Sequence, residues 1–155
     1  MRDKIRIGVI GGSSPPSEAL EQAFQVGRLI ARAGAVLVCG GLGGVMEAAS
    51  RGAKEEGGTV IGILPGQDFQ AANPYVDIPI ATAIGYLRNA LVVLNSHVLI
   101  AVDGSYGTLT EISYGLIYGR KVFGIGTWEI PGVISTSGPQ QAVELALKEA
   151  KNAYS

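Results

Sequence analysis

The sequence predicts one doubly wound α/β domain, a mostly parallel sheet with helices on both faces. Three observations carry that prediction. Short β-branched segments alternate with amphipathic segments of helix length, the pattern of βαβ units. The strand segments from Ala35 to Cys39 and from Val98 to Val102 are apolar from end to end, as strands covered on both faces must be. Glycine makes up 23 of 155 residues and gathers where these segments end, in the tight turns that packed elements need. A chain of this length suits one core, so residues 1–155 are expected to form one domain.

Taken in order, Ile5–Ile10 is a strand closed by Gly11-Gly12-Ser13-Ser14. Pro15-Pro16-Ser17 opens a helix with Leu20, Phe24, Leu29, Ile30 and Ala31 on its apolar face, and Gly34 stops it. Ala35–Cys39 is the second strand, running into Gly40-Gly41-Leu42-Gly43-Gly44, and a helix from Val45 to Glu56 follows. Thr59–Leu64 is the third strand. The stretch from Pro65 to Asp77 is long, polar and proline-punctuated, which marks it as a candidate ligand-covering loop. Ile78–Ala81 is a short strand, Ile84–Asn95 a helix and Val98–Val102 a strand. Asp103-Gly104-Ser105-Tyr106-Gly107 then leads into a helix over Thr108–Tyr118. Lys121–Ile125 reads as the last strand, and Pro139–Asn152 as an amphipathic helix.

Composition narrows the function. Hydrophobic residues reach 47% and charged residues only 16%, so much surface must be buried, internally or against sister subunits. With 12 Lys+Arg against 13 Asp+Glu and no basic block, neither nucleic acid nor a membrane surface is an expected partner. Cys39 is the sole cysteine and His97 the sole histidine, which excludes a disulfide, a thiolate cluster, a multi-histidine metal site and a Ser-His-Asp triad away from residue 97. The segment before Ile5 has neither an apolar run nor a cleavage pattern, and no apolar run nears a bilayer span; a cytoplasmic location is the expectation.

In open α/β sheets ligands sit at the carboxyl ends of the strands. Three glycine-rich turns fall there, at Gly11–Ser14, Gly40–Gly44 and Gly104–Gly107. Each precedes a helix start, where free N–H groups and the positive dipole end favour an anion. Three such turns in a small domain point to a phosphate-bearing ligand. The second lacks the Lys-Ser/Thr pair of a P-loop, which argues against ATP or GTP hydrolysis of that type. Glu111 lies one turn beyond Thr108 on the same helix face. It either complements the helix dipole or stands beside a phosphate or sugar as acceptor or general base. Arg88 is the one charge between Asp77 and Asp103, in an apolar stretch, so an anion or Glu111 is its expected partner and Asn89 an added hydrogen bond. Cys39 reads as a core residue and His97 as a surface or capping residue. Tyr106 either stacks on a flat ring or covers its turn.

Three ordered segments, Gly40-Gly41-Leu42-Gly43-Gly44-Val45-Met46, Gly57-Gly58-Thr59-Val60-Ile61-Gly62-Ile63-Leu64-Pro65 and Gly104-Ser105-Tyr106-Gly107-Thr108-Leu109-Thr110-Glu111, resemble the superfamily often mislabelled "lysine decarboxylase". Its fold is Rossmann-like, and it includes the lonely-guy phosphoribohydrolases, which release a base from nucleoside 5′-monophosphates. Leu64-Pro65-Gly66, Val76-Asp77-Ile78-Pro79-Ile80, Gly85 with Arg88, and Val98–Val102 are more similar to the molybdenum cofactor carrier branch. The hydrolase pattern Pro-Gly-Gly-x-Gly-Thr-x-x-Glu is matched at Gly104, Gly107, Thr108 and Glu111. Asp103 and Ser105 depart from it, and Asn89 stands where the hydrolases have Lys beside the Arg.

The resemblance implies two functions. As a carrier, the chain would hold the molybdenum cofactor as cargo, with no cofactor needed for catalysis and no bound metal of its own. Gly41–Gly44 would then hold one anion through backbone N–H groups, and Ser105, Gly107 and Thr108 the other, with Arg88 adding charge. The candidate binding residues are Gly12, Ser13, Ser14, Gly40, Gly41, Gly43, Gly44, Val45, Met46, Arg88, Asn89, Gly104, Ser105, Tyr106, Gly107, Thr108 and Glu111. As a nucleoside 5′-monophosphate phosphoribohydrolase, it would use Glu111 to hold the ribose or activate water, with Arg88 orienting. The apolar helices carrying Leu91–Leu94 and Ile112–Tyr118 predict a homo-oligomer, a dimer or a tetramer.

Overall fold

The computed structural model describes residues 3–154. Seven strands form one sheet: β1 (Arg6–Gly11), β2 (Val36–Cys39), β3 (Val60–Leu64), β4 (Ile78–Ala81), β5 (Val98–Val102), β6 (Val122–Ile125) and β7 (Val133–Ser135). Their order is β4-β3-β2-β1-β5-β6-β7, and every pairing is parallel. The helices are α1 (Ser17–Arg32), α2 (Val45–Glu55), α3 (Arg88–Leu94), α4 (Tyr106–Ile117) and α5 (Pro139–Tyr154).

Side-chain alternation divides the core. Ile7, Val9, Leu37, Val98, Ile100 and Val102 project to the face covered by α1, α2 and α5. Ile10, Val38, Ile63, Leu99 and Ala101 project to the opposite face, against Val92 and Val93 of α3 and Ile112 of α4. Burial of each such side chain contributes on the order of 1.5–3 kcal/mol. Among the described residues no helix is long and apolar enough to cross a membrane.

Two expectations change. Lys121–Ile125 is not the last strand, because β7 adds a three-residue edge. The expected helix over Ile84–Asn95 divides into a 3-10 turn, Gly85–Leu87, and the seven-residue α3.

The topology also places the crevice. After β1 the chain turns to α1 on one face, and after β5 to α4 on the other. The neighbouring carboxyl ends of β1 and β5 therefore part their loops, which is where doubly wound sheets bind ligands.

Candidate ligand-binding cavity

A cavity of about 470 Å³ opens at that crevice, within the size range of small-molecule sites. Its walls are Gly11, Gly12 and Ser13 from the first turn, and Leu42 and Met46 from the second. Tyr86 comes from the 3-10 turn before α3, and Arg88 and Asn89 from the start of α3; Ser105, Tyr106, Gly107, Thr108, Thr110 and Glu111 come from the third turn and α4. The sequence-derived candidates Gly12, Ser13, Met46, Arg88, Asn89, Ser105, Tyr106, Gly107, Thr108 and Glu111 thus share one chamber. Ser14, Gly40, Gly41, Gly43, Gly44, Val45 and Gly104 stand outside its lining.

The first and third turns present the donors. Among the described residues the amides of Gly12, Ser13, Tyr106 and Gly107 have no hydrogen-bond acceptor; Tyr106 and Gly107 open α4, where the first N–H groups lack intrahelical partners, and Gly12 and Ser13 lie in the loop ahead of α1. The second turn is occupied with support. The Val45 amide donates to the Gly12 carbonyl at 3.0 Å, so α2 spends its first N–H holding the first turn. Gly44 makes this approach possible, at φ 66° and ψ −130°. A Cβ there would lie 2.3 Å from the Gly12 carbonyl oxygen.

The segment from Pro65 to Asp77 does not line the cavity. Its Asn73 braces the second turn from behind, donating from its amide to the Gly41 carbonyl (2.8 Å) and from Nδ2 to the Leu42 carbonyl (2.9 Å).

Arg88 is buried, and its guanidinium turns into the protein. Nε donates to the Ile63 carbonyl at 2.9 Å, Nη2 to the Gly40 carbonyl at 3.5 Å, and Nη1 to Asn89 Oδ1. A Cβ at Gly40 would sit 2.9 Å from Nη2 and 2.8 Å from Met46 Sδ, so either side-chain end would have to shift. Asn89 in turn donates to the Gly107 carbonyl (3.3 Å) and Thr110 Oγ1 (3.0 Å), joining α3 to the third turn. Carbonyls and an amide, rather than Glu111, are the close partners of Arg88; no Arg88–Glu111 ion pair within 4 Å occurs among the described residues.

Glu111 is buried in the cavity wall with no hydrogen bond to another described residue. Burial pushes its carboxyl up to about 8, and the charge of Arg88 only partly opposes this. At neutral pH it is therefore mostly a neutral acid.

The third turn departs from a Pro-Gly-Gly turn for a backbone reason. Asp103 holds φ 52°, which aspartate tolerates. Proline, locked near about −65°, cannot adopt it. Thr127 Oγ1 donates to the Asp103 carbonyl at 2.6 Å and fixes the turn.

The remaining single residues resolve plainly. Cys39 is fully buried, its thiol pushed up by burial, and is a core residue. His97 Nδ1 accepts the Arg6 amide at 2.9 Å, at the end of the sheet opposite the cavity. Sequence reasoning missed Gly11, Leu42, Tyr86 and Thr110 as wall residues. Thr110 had a signal, since it lies three residues after Gly107 and one before Glu111 on the same helix. Tyr86 carries no such signal, since an aromatic two residues before Arg88 in an apolar stretch has the pattern of a core residue.

With this geometry in view, a family model described as the SLOG cluster4 family matches residues 4–154. The chain belongs to that family. An uncharacterised protein of Archaeoglobus fulgidus is 42% identical over 147 residues, covering 94% of this chain and 97% of that one. The molybdenum cofactor binding protein of the phototrophic bacterium Rippkaea orientalis superposes with TM-score 0.90 at 35% identity, over 96% of this chain and 98% of that one. The molybdenum cofactor carrier protein of Chlamydomonas reinhardtii superposes with TM-score 0.89 at 33% identity, over 96% and 99%. This SLOG cluster4 chain therefore sits in a branch that contains molybdenum cofactor carriers.

Proposed function

We propose that this protein binds and carries a phosphate-bearing small ligand in its 470 Å³ cavity, with the molybdenum cofactor as cargo. The observation that carries the reading is a cavity at the sheet crevice in which the Gly12, Ser13, Tyr106 and Gly107 amides are left free for an anion, while the Arg88 guanidinium is bound to its own chain's carbonyls. A neutral carboxyl at Glu111 also puts no like charge against an anionic ligand. The similarity to two molybdenum cofactor proteins over nearly the whole chain supports the identity of the cargo.

The second reading is phosphoribohydrolase activity, favoured by one fact: Arg88, Gly107, Thr108 and Glu111 all meet in the cavity. The deciding experiment incubates wild type and Glu111→Gln with a panel of nucleoside 5′-monophosphates and measures free base and ribose 5-phosphate by HPLC. Under the carrier reading neither protein releases base, and titration with the molybdenum cofactor shows saturable binding. Base release by wild type that Glu111→Gln abolishes overturns it.

Ser105→Asp tests the anion site directly. Asp caps a helix N-terminus as well as Ser does, so α4 is expected to remain intact while a negative charge enters the cavity wall. Cofactor affinity is expected to fall at least tenfold, about 1.4 kcal/mol. Unchanged affinity would remove Ser105 from the site.

Self-association belongs to the same proposal. Val92, Val93 and Ile112 are consumed by the core, while Leu94, Ile117 and Tyr118 remain exposed. The outer face of α4 is also grooved, between Leu109, Ser113, Tyr114 and Ile117, and carries no exposed charge. A homodimer or dimer of dimers is expected from light scattering at low protein concentration, shifting toward monomer in Ile117→Lys. A monomeric wild type refutes it.

A further inference from the structure

The loop that follows β6 grips the third turn with two side chains. Thr127 Oγ1 donates to the Asp103 carbonyl at 2.6 Å, and Trp128 Nε1 donates to the Ser105 carbonyl at 3.1 Å. The Asp103 amide returns a hydrogen bond to the Ile125 carbonyl at 3.0 Å, so the ends of β5 and β6 are tied in both directions. Gly124 leaves room for the grip, because a Cβ there would meet the Thr127 methyl at 2.6 Å. Neither Thr127 nor Trp128 lines the ligand cavity; both line a separate hollow of about 230 Å³. From the α3 side Asn89 holds the Gly107 carbonyl at 3.3 Å. The turn is clamped from two directions.

Holding a carbonyl also aims an amide. In a planar trans peptide the C=O and the N–H that follows it point in opposite directions. Trp128 therefore fixes the Ser105–Tyr106 peptide with its N–H directed away from the indole, at the opening of α4. The same carbonyl accepts the Leu109 amide at 3.1 Å, the first bond of the helix. Thr127 acts two residues earlier, on Asp103. Its φ of 52° is left-handed backbone, which persists in a non-glycine residue only where the surroundings hold it. We infer that Thr127 and Trp128 are positioning residues for the anion site, holding the free Tyr106 and Gly107 amides in one geometry before a ligand arrives. This rests on the reading of the cavity as a phosphate site, and it assigns part of that site's affinity to a loop outside the cavity wall. An amide already fixed in place loses little freedom on binding, so the clamp is read as affinity.

The test is calorimetric titration of the intact chain with ribose 5-phosphate, beside melting temperatures, in wild type and three variants. Thr127→Val keeps the shape of the side chain and removes its donor. Thr127→Ser keeps the donor and removes the methyl, and Trp128→Phe removes the indole N–H while keeping a ring beside Tyr106. Affinity is expected to fall about tenfold in Thr127→Val and about threefold in Trp128→Phe, the worth of one hydrogen bond at a half-buried and at an exposed position. Thr127→Ser is expected to keep wild-type affinity although its melting temperature falls, a split that a merely structural role does not produce. Wild-type affinity in Thr127→Val or in Trp128→Phe overturns the positioning inference and leaves the phosphate site standing, as do affinities that simply follow melting temperature across the variants. Failure of wild type to bind ribose 5-phosphate overturns the phosphate site and this inference with it.

Discussion

Gly44→Ala is expected to destabilise the protein by about 3–5 kcal/mol, although residue 44 does not line the cavity. Two costs add. The backbone at φ 66° and ψ −130° is one that L side chains rarely adopt, worth about 1–3 kcal/mol by itself. The new methyl would also meet the Gly12 carbonyl oxygen at 2.3 Å and Ser13 backbone atoms at 2.6 Å, and relief requires the first and second turns to separate. Separation breaks the Val45-to-Gly12 hydrogen bond and moves the Gly12 and Ser13 amides, so ligand affinity falls with stability. Gly43→Ala is the control. Nothing lies within 4 Å of a Cβ at that position, and its cost is expected to stay within about 0.5 kcal/mol. Urea denaturation of the two variants beside wild type measures the difference; equal midpoints would show that the first two turns are not locked together.

This pair also shows what the sequence made legible and what it did not. The strands were readable because residues buried on both sides of a parallel sheet leave continuous apolar runs, and the three glycine-rich turns marked their carboxyl ends. The division of labour among those turns was not readable. Glycines that face a ligand and glycines that let two backbones touch look alike, and only the contact between Gly44 and Gly12 separates them. Arg88 posed a related problem. An arginine in an apolar stretch announces a partner, but backbone carbonyls such as those of Gly40 and Ile63 carry no side-chain signal. The sequence suggested an anion or Glu111 instead. β7 escaped because three residues at an edge, one half-buried and two exposed, are too short for an alternating pattern to register. The loop from Pro65 to Asp77 was noticed for its length and polarity, but neither property tells which side of the turn it will brace.

Glu111→Gln is expected to change how stability depends on pH, with a defined sign. The carboxyl is pushed up to about 8 by burial, from an ordinary value of 4.5 that the unfolded chain retains. Between these two values the folded protein holds a proton that the unfolded chain has released, so unfolding free energy falls as pH rises. The contribution is complete below about pH 4.5 and is lost as pH climbs through about 8. Glutamine resembles the neutral acid and does not titrate. The variant and wild type are therefore expected to match near pH 5, and the variant to be the more stable above pH 8. Melting temperatures at pH 5, 7 and 9 check this, and parallel profiles would mean that Glu111 ionises normally in the folded state. The same proton bears on function. An anion entering the cavity disfavours a second negative charge beside it, so binding holds Glu111 neutral to a still higher pH. A group protonated more firmly by its ligand makes a hydrogen-bond donor and a poor base. A hydrolase using Glu111 as base would instead gain rate with pH toward and beyond 8, as the carboxylate form accumulated. The pH profile of base release in wild type beside Glu111→Gln thus separates the two chemistries, since only the hydrolase has a rate that rises with Glu111 ionisation.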